Sequence, residues 1–133
     1  MTTALPFVSS PVLIGMVHLD PLPGAPDFAG DMERVVARAQ ADAAVLAAAG
    51  FDAVMVENFY DAPFFKDALP AETVAGLTRC ALAVRDAAPG LILGVNALRN
   101  DARAALGIAA AVGAAFIRVN VLTGAMVTDQ GLI

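Results

Sequence analysis

The fold prediction starts from the stretch Ala115-Phe116-Ile117-Arg118-Val119-Asn120-Val121, which is followed by Leu122-Thr123-Gly124. It is predicted as a buried strand. Because side chains alternate between the two faces of a strand, Phe116, Arg118 and Asn120 share one face and the residues between them occupy the other. That face carries a charge and an amide near its C-terminal end. Parallel strands of α/β folds place functional groups at this end, so the stretch predicts a site as well as a strand.

Three earlier segments repeat this design, since each is an apolar run that ends in a polar residue: 12–18, 53–57 and 91–96. Between the strands, helical spacing of apolar residues predicts helices over about 32–49 and 71–87. A third helix is predicted to begin after a cap at Asn100 or Asp101 and to end at Gly113. This alternation predicts an α/β fold with a parallel sheet built from about four βα units.

The amino-acid composition excludes several classes of function. The chain has 133 residues, of which 59% are hydrophobic and only 16% charged, against about 25% charged in an average soluble domain. The formal net charge is −5, and no cluster of Lys or Arg is present, so no nucleic-acid partner is expected. No apolar run reaches the roughly 18 residues of a transmembrane helix. The single cysteine, Cys80, fits a reducing compartment, and we predict a cytoplasmic location.

The last polar residue of each strand is expected to face one common mouth above apolar layers. These residues are His18, Glu57 and Asn96, together with Arg118 and Asn120 from the last strand. We predict His18 and Glu57 as catalytic groups. The predicted substrate-binding groups are Asn96, Arg118, Asn120, Thr123 and Asp20.

The layering of a barrel predicts Glu57 beside Arg118 or Asn120, and His18 beside Asn96. Glu57 and Arg118 could form a bidentate ion pair, or Arg118 could hold an anionic ligand group while Glu57 serves as acid or base. A purely structural ion pair is the alternative. His18 and Glu57 alone lack the third ligand of a metal site, so no metal is predicted. No GxGxxG or Walker motif occurs, and no cofactor is specified.

The loop after the second strand is unusually aromatic, with Phe59, Tyr60, Phe64 and Phe65 outside any periodic element. Three interpretations stay open for it: a lid over the pocket, a contact surface for a partner or a membrane surface, and a loop folded back onto the rim. Arg99 and Asp101 flank the next loop, and their simplest interpretation is as solvated charges at the start of a helix.

Four ordered motifs in this chain resemble the signatures of the BtpA/SgcQ family. The first covers residues 14–24, IGMVHLDPLPG; the second is Val56-Glu57-Asn58-Phe59 with Asp61 and Pro63-Phe64 behind it. The third is Gly94-Val95-Asn96 with residues 98–101, LRND. The fourth is FIRVNV, residues 116–121, with Thr123-Gly124 and Thr128-Asp129-Gln130-Gly131.

The resemblance implies a TIM barrel about twice this length, so residues 12–133 are expected to form its N-terminal half, preceded by a lead-in over residues 1–11. A half barrel is also expected to form a homo-oligomer that covers its edges. The resemblance leaves two functions open. One is binding or transformation of a small anionic metabolite at the strand ends. The other is a non-catalytic role in photosystem I or membrane-complex assembly through protein contacts, with peripheral membrane association.

Overall fold

A computed structural model describes Phe7 and residues 11–133. Apart from Phe7 and Pro11, the predicted lead-in lies outside the described residues. The elements follow in chain order: β1 Ile14–His18, α1 Met32–Ala48, β2 Ala53–Glu57, α2 Ala71–Ala87, β3 Ile92–Asn96, α3 Ala102–Val112, β4 Phe116–Arg118, β5 Val127–Thr128 and β6 Gly131–Leu132.

Strands β1 to β4 form one parallel sheet in the order β1-β2-β3-β4, and β5 and β6 form a separate antiparallel hairpin. Each of the first three strands is followed by a helix that returns the chain to the next parallel strand. The predicted α/β fold with consecutive βα units is therefore confirmed. The sheet has a barrel-like strand order, and within the described residues it does not close.

Local signals in the sequence explain where the helices begin and end. The Asp31 carboxylate accepts a hydrogen bond from the Arg34 N–H at 3.0 Å and caps α1, and Asp101 caps α3 through the Ala104 N–H at 2.8 Å. Gly113 ends α3 with φ at +73°, in the left-handed region that glycine enters without steric cost. These caps fix the points at which the loops around the strand ends begin.

The two faces of the sheet have different environments. The face toward the helices is apolar and is buried across β1 to β3, where its core includes Val17, Val54, Val56 and Val95, while Ile117 of β4 is half-buried. The opposite face carries three levels of side chains, because residues paired in register point to the same side. The lowest level joins Ile14, Ala53 and Ile92, and the top level joins His18, Glu57, Asn96 and Arg118.

The middle level joins Met16, Met55, Gly94 and Phe116, and it forms the apolar floor below the polar side chains. Gly94 lies against the Phe116 ring so closely that a Cβ at Gly94 would be 2.3 Å from ring carbons. Phe116 also meets the Phe7 ring edge-on, with 5.5 Å between centroids. The expected arrangement of apolar lower layers beneath a polar upper layer is confirmed for these four strands.

Strand β4 is shorter than predicted. It ends at Arg118, whereas the sequence pattern extends to Val121. Its partner β3 ends at Asn96, which pairs with Arg118, so no ladder partner exists beyond that point. The Asn100 side chain then bonds both the N–H and the C=O of Val121, at 2.8 and 3.1 Å. Asn120 consequently lies in a bend after the strand, and its prediction as a strand residue is wrong.

Candidate functional site

The top level of the open sheet face is a continuous row of four polar side chains, which we call the polar row: His18, Glu57, Asn96 and Arg118. Each is the Cα partner of the next across the sheet. All four stand at the last residue of their strands. The strands therefore place these four side chains side by side at one edge of the sheet, as their parity in the sequence predicts.

Glu57 is the centre of the polar row. Its Oε1 lies 2.8 Å from His18 Nε2, and its Oε2 accepts a hydrogen bond from Asn96 Nδ2 at 2.7 Å. Glu57 and Asn96 are buried, whereas the His18 side chain is 36% exposed. A buried carboxylate thus holds an imidazole whose outer edge remains accessible.

Arg118 reaches the same carboxylate from the other end of the row. Its Nη1 lies 3.8 Å from Glu57 Oε2, and 54% of its side chain is exposed. The predicted contact with Glu57 is present, but it is too long and too one-sided to be the bidentate pair, whose N···O distances are about 2.8 Å. Most of the guanidinium donors of Arg118 are therefore left for water or a ligand.

The predicted neighbours within the row differ from those observed. His18 contacts Glu57 and not Asn96, and Asn96 lies between Glu57 and Arg118 in the register. The prediction placed alternate strands in one layer, as in a closed barrel. Adjacent strands here pair in register, and in-register side chains lie about 5 Å apart. Neighbouring strands therefore supply the contacts.

One atom of the row has no partner within the described residues. With Asn96 Nδ2 donating to Glu57, the buried Oδ1 of Asn96 accepts no hydrogen bond. A buried acceptor without a donor costs about 1–3 kcal/mol, so this atom favours a donor from water or a ligand. The Oδ1 of Asn120, in the adjoining bend, is also buried and unpartnered.

The aromatic loop folds back over the strand ends. The Phe59 ring stacks on His18 with 4.3 Å between centroids and an angle of 13° between planes. Tyr60 meets His18 edge-on at 6.5 Å. Phe64 lies beneath the Arg99 guanidinium, 5.0 Å from the ring centroid. Phe59, Tyr60 and Phe65 each keep more than two-fifths of their surface exposed, so the loop covers the rim and also presents apolar surface.

A second buried polar cluster, missed by the sequence analysis, ties three loops together. We call it the loop clamp, and it consists of Asn58 and Asp61. Asn58 bonds both backbone groups of Leu98: its Oδ1 accepts from the N–H at 2.8 Å, and its Nδ2 donates to the C=O at 3.0 Å. Asp61 accepts from the Leu22 N–H at 2.7 Å and from Asn58 Nδ2 at 3.0 Å. The clamp holds the segment that carries Phe59.

Burial changes the acid–base behaviour of the clamp. Loss of solvation raises the pKa of the Asp61 carboxyl above its usual 3.8, while the hydrogen bonds from Leu22 and Asn58 act in the opposite direction. Both clamp residues appear in the second family-like motif. The signal that could have identified Asn58 is its parity, since it follows Glu57 directly and must point away from the polar row.

Other predicted site residues lie outside the row. Asp20 forms an ion pair with Arg38 of α1. Thr123 is exposed in the turn after β4, and Asn120 lies in the bend before it. The structure therefore brings together four of the seven predicted site residues: His18, Glu57, Asn96 and Arg118.

The charges at the start of α3 are not simply solvated, which corrects their simplest interpretation. Arg99 pairs with Asp129 at 2.9 Å in addition to covering Phe64, and its backbone N–H donates to the Phe65 carbonyl at 3.3 Å. Asp101 is buried and accepts from the Leu69 N–H at 2.9 Å as well as capping α3. Both residues connect the third loop to its neighbours.

Two features are absent from the described part of the chain. No three side chains of His, Cys, Asp or Glu at residues 7 and 11–133 come close enough to hold a metal ion together. No helix in the same residues is long and apolar enough to cross a membrane.

Comparison with known proteins identifies the family. The BtpA family profile matches residues 9–133. The chain is 59% identical over 121 residues to an uncharacterized protein of Thermococcus kodakarensis, covering 91% of this chain and 46% of the relative. It is 54% identical over 121 residues to an uncharacterized protein of Pyrococcus furiosus, covering 91% of this chain and 45% of the relative.

A third relative has a named function. The Photosystem I biogenesis protein BtpA of Synechocystis is 49% identical over 124 residues, covering 91% of this chain and 42% of the relative. No solved structure gives a significant match. The chain spans about half the length of the curated relatives it matches. On the family match and these identities, the chain belongs to the BtpA family.

Proposed function

We propose that the polar row binds a small anionic ligand and holds an acid–base pair against it. The observation that carries this proposal is the convergence on one buried carboxylate: His18 lies 2.8 Å from Glu57 on one side, and Arg118 lies 3.8 Å from it on the other. Both flanking side chains are accessible, so a ligand above Glu57 can reach an imidazole and a guanidinium together.

Each residue of the row has a distinct role in this proposal. Arg118 binds the anionic group, because guanidinium donors match carboxylate and phosphate oxygens. His18 exchanges a proton with the ligand, and Glu57 orients the imidazole and stabilises its protonated form. Asn96 holds Glu57 through Nδ2 and leaves its buried Oδ1 for a donor on the ligand. The stacked Phe59 ring restricts the orientation of His18.

The experiment uses the fact that His18 is the only histidine of the chain. Without an affinity tag, the imidazole signals in an NMR spectrum therefore belong to His18 alone. We expect titration with inorganic phosphate to shift these signals saturably, because the anion would bind at Arg118 within the same cluster.

The matched variants are Arg118→Gln, which removes the group predicted to bind the anion, and Arg103→Gln, which changes an exposed arginine on α3. Arg118→Gln should weaken phosphate binding by about tenfold or more, as expected for a charged hydrogen bond of about 1.5–3 kcal/mol. Arg103→Gln should bind as the parent chain does. A saturable shift of equal affinity in both variants would contradict the proposal.

We further propose that the four parallel strands and their three helices are half of an eight-stranded TIM barrel of the SgcQ-like type. Three features support this proposal: the parallel order of neighbouring strands, the polar level at the strand C-termini, and helices on one face of the sheet. TIM barrels place their active sites at this end of the strands. A crystal structure of a relative that is twice as long would test it, and an open sheet in that structure would contradict it.

The second candidate function is an assembly factor that acts through protein contacts. The Synechocystis relative, named Photosystem I biogenesis protein BtpA, favours it at 49% identity. Phe65, which is 42% exposed in the aromatic loop, is the candidate contact residue. The matched control is Leu82, which is 40% exposed on α2.

In a deletion strain complemented by the gene, an assembly role predicts that Phe65→Ser fails to complement. Leu82→Ser and Glu57→Gln should both complement. The anion-site function predicts the reverse for Glu57→Gln, so this one comparison separates the two candidates.

A further inference from the structure

We propose a second ligand site in this protein: a cleft outside the polar row, between the loops after β1, β2 and β3, that binds an uncharged nucleoside. The cleft has a volume of about 650 Å³, within the range of about 300–1,000 Å³ that is usual for small-molecule sites. No residue of the polar row lines it. The two sites are separated by Phe59, whose ring stacks on His18 and also lines the cleft.

Aromatic rings form the walls of this cleft. Phe59, Tyr60 and Phe64 line it, and the first two are 44% and 43% exposed. Large aromatic side chains usually bury most of their surface, so these two rings leave stacking surface uncovered. The Phe59 and Tyr60 rings meet at 87° with 5.3 Å between centroids. Aromatic side chains are the groups on which proteins stack single bases, so the exposed surface of these two rings suits a flat ligand.

The two arginines of the cleft already have carboxylate partners. Arg38 is paired with Asp20, and Arg99 is paired with Asp129 at 2.9 Å. Each arginine therefore keeps hydrogen-bond donors but has its charge offset by a neighbouring carboxylate. A phosphate group would gain little attraction here, whereas a carbonyl or ring nitrogen of a base could accept hydrogen bonds from the guanidinium groups.

Asp27 gives the cleft an acceptor for hydroxyl groups. It lines the cleft, is exposed, and makes no ion pair within the described residues. In dinucleotide-binding folds an Asp or Glu carboxylate accepts the hydrogen bond of a ribose hydroxyl, so Asp27 has the chemistry to do the same. Stacking rings, guanidinium donors and a free carboxylate together fit a base with its ribose and do not favour a 5′-phosphate.

The experiment is an NMR-monitored titration of the tag-free chain with adenosine, adenosine monophosphate and ribose as separate probes. We expect adenosine to bind saturably and more tightly than either of the other two. Phe64→Leu should weaken adenosine binding roughly fivefold or more, the least effect of losing a stacked base, and Phe64→Tyr should restore it. Asp27→Asn should also weaken it, whereas Asp67→Asn, the matched change of an exposed aspartate outside the cleft, should not.

Three results would overturn the proposal: no saturable binding of adenosine in the millimolar range, equal binding by Phe64→Leu and the parent chain, or tighter binding of adenosine monophosphate or ribose. Circular dichroism of each variant confirms folding. The cleft proposal is independent of the anion-site function, because Phe64→Leu leaves Arg118 and Glu57 in place. Phosphate titration of His18 in that variant therefore reports on the row alone.

Discussion

The loop clamp and the polar row are two buried polar clusters at the same end of the sheet, and their partners differ in kind. In the clamp, Asn58 and Asp61 bond backbone groups of Leu98 and Leu22. In the row, the Glu57 carboxylate contacts only other side chains, and Asn96 keeps a buried side-chain oxygen without a donor. The clamp side chains find their hydrogen-bond partners within the fold, whereas the row leaves one buried acceptor, the Oδ1 of Asn96, without a donor.

We propose that this difference, and not burial, separates the polar groups that hold the fold from those that meet a ligand. Asn58 and Asn96 are both fully buried, so exposure does not distinguish them. A side chain that satisfies loop backbone groups stabilises the fold. In our proposal, the side chains of the row, which contact one another and leave an acceptor open, are the ones that meet a ligand. The clamp should therefore govern stability, and the row should govern binding.

The largest expected effect is the loss of stability on breaking the clamp. Asp61→Ala leaves the Leu22 N–H and one Asn58 donor buried without an acceptor. At about 1–3 kcal/mol for each buried group, we expect the free energy of unfolding to fall by about 3 kcal/mol in urea denaturation. The matched control is Asp52→Ala, because Asp52 accepts a single, exposed backbone hydrogen bond from Leu13 at 2.8 Å.

The control should lose no more than about 1 kcal/mol. Equal losses in Asp61→Ala and Asp52→Ala would show that burial of the clamp adds nothing to stability. The clamp could then not be called the structural cluster of the two.

A smaller effect is expected in the pH dependence of stability. Because burial raises the pKa of Asp61 above 3.8, the folded state binds this proton more tightly than the unfolded chain does. The stability that protonated Asp61 contributes is fully present below pH 3.8 and is lost as the pH rises through the raised value.

The measurement is the free energy of unfolding of the parent chain minus that of Asp61→Asn, followed from acidic to neutral pH. We expect this difference to fall as the pH rises and then to become constant. A difference that grows with pH would mean that the hydrogen bonds to the ionised carboxylate outweigh its burial.

A substitution in the row should change ligand binding more than stability, which is the opposite of the effect expected for the clamp. In Glu57→Gln the amide can still accept from Asn96 and donate to His18, so we expect the free energy of unfolding to change by no more than about 1 kcal/mol. The oriented carboxylate is nevertheless lost. The response of the His18 NMR signals to phosphate should therefore change in this variant, and a large loss of stability with unchanged signals would assign the row to structure.

The smallest effect on stability is expected from the ion pair between Arg38 and Asp20. Arg38→Gln breaks the ion pair with Asp20, in which the arginine side chain is 51% exposed. Exposed ion pairs contribute about 0–1 kcal/mol to stability, so the midpoint temperature of thermal unfolding should change by at most a few degrees. A loss as large as that of Asp61→Ala would show that Asp20 acts as part of the fold and would remove the contrast between buried and exposed pairs.

The sequence predicted the row because period-two alternation fixes which strand residues share a face. His18, Glu57, Asn96 and Arg118 therefore followed from the pattern, and Asp101 was one of the two residues predicted to cap α3. The pattern could not show that β4 ends at Arg118, since that depends on where β3 ends and on Asn100 binding Val121. It also missed the clamp, because Asn58 and Asp61 act through loop backbone groups 39 or 40 residues away in sequence.

The most direct test of the incomplete row is a crystal structure of the chain grown with phosphate. We expect a phosphate oxygen within about 3 Å of the Arg118 guanidinium, with His18 on the same ligand and Glu57 still bonded to Asn96. A structure in which Arg118 instead forms a bidentate pair with Glu57 and excludes the anion would contradict the account, because the row would then be satisfied by the fold in the same way as the clamp.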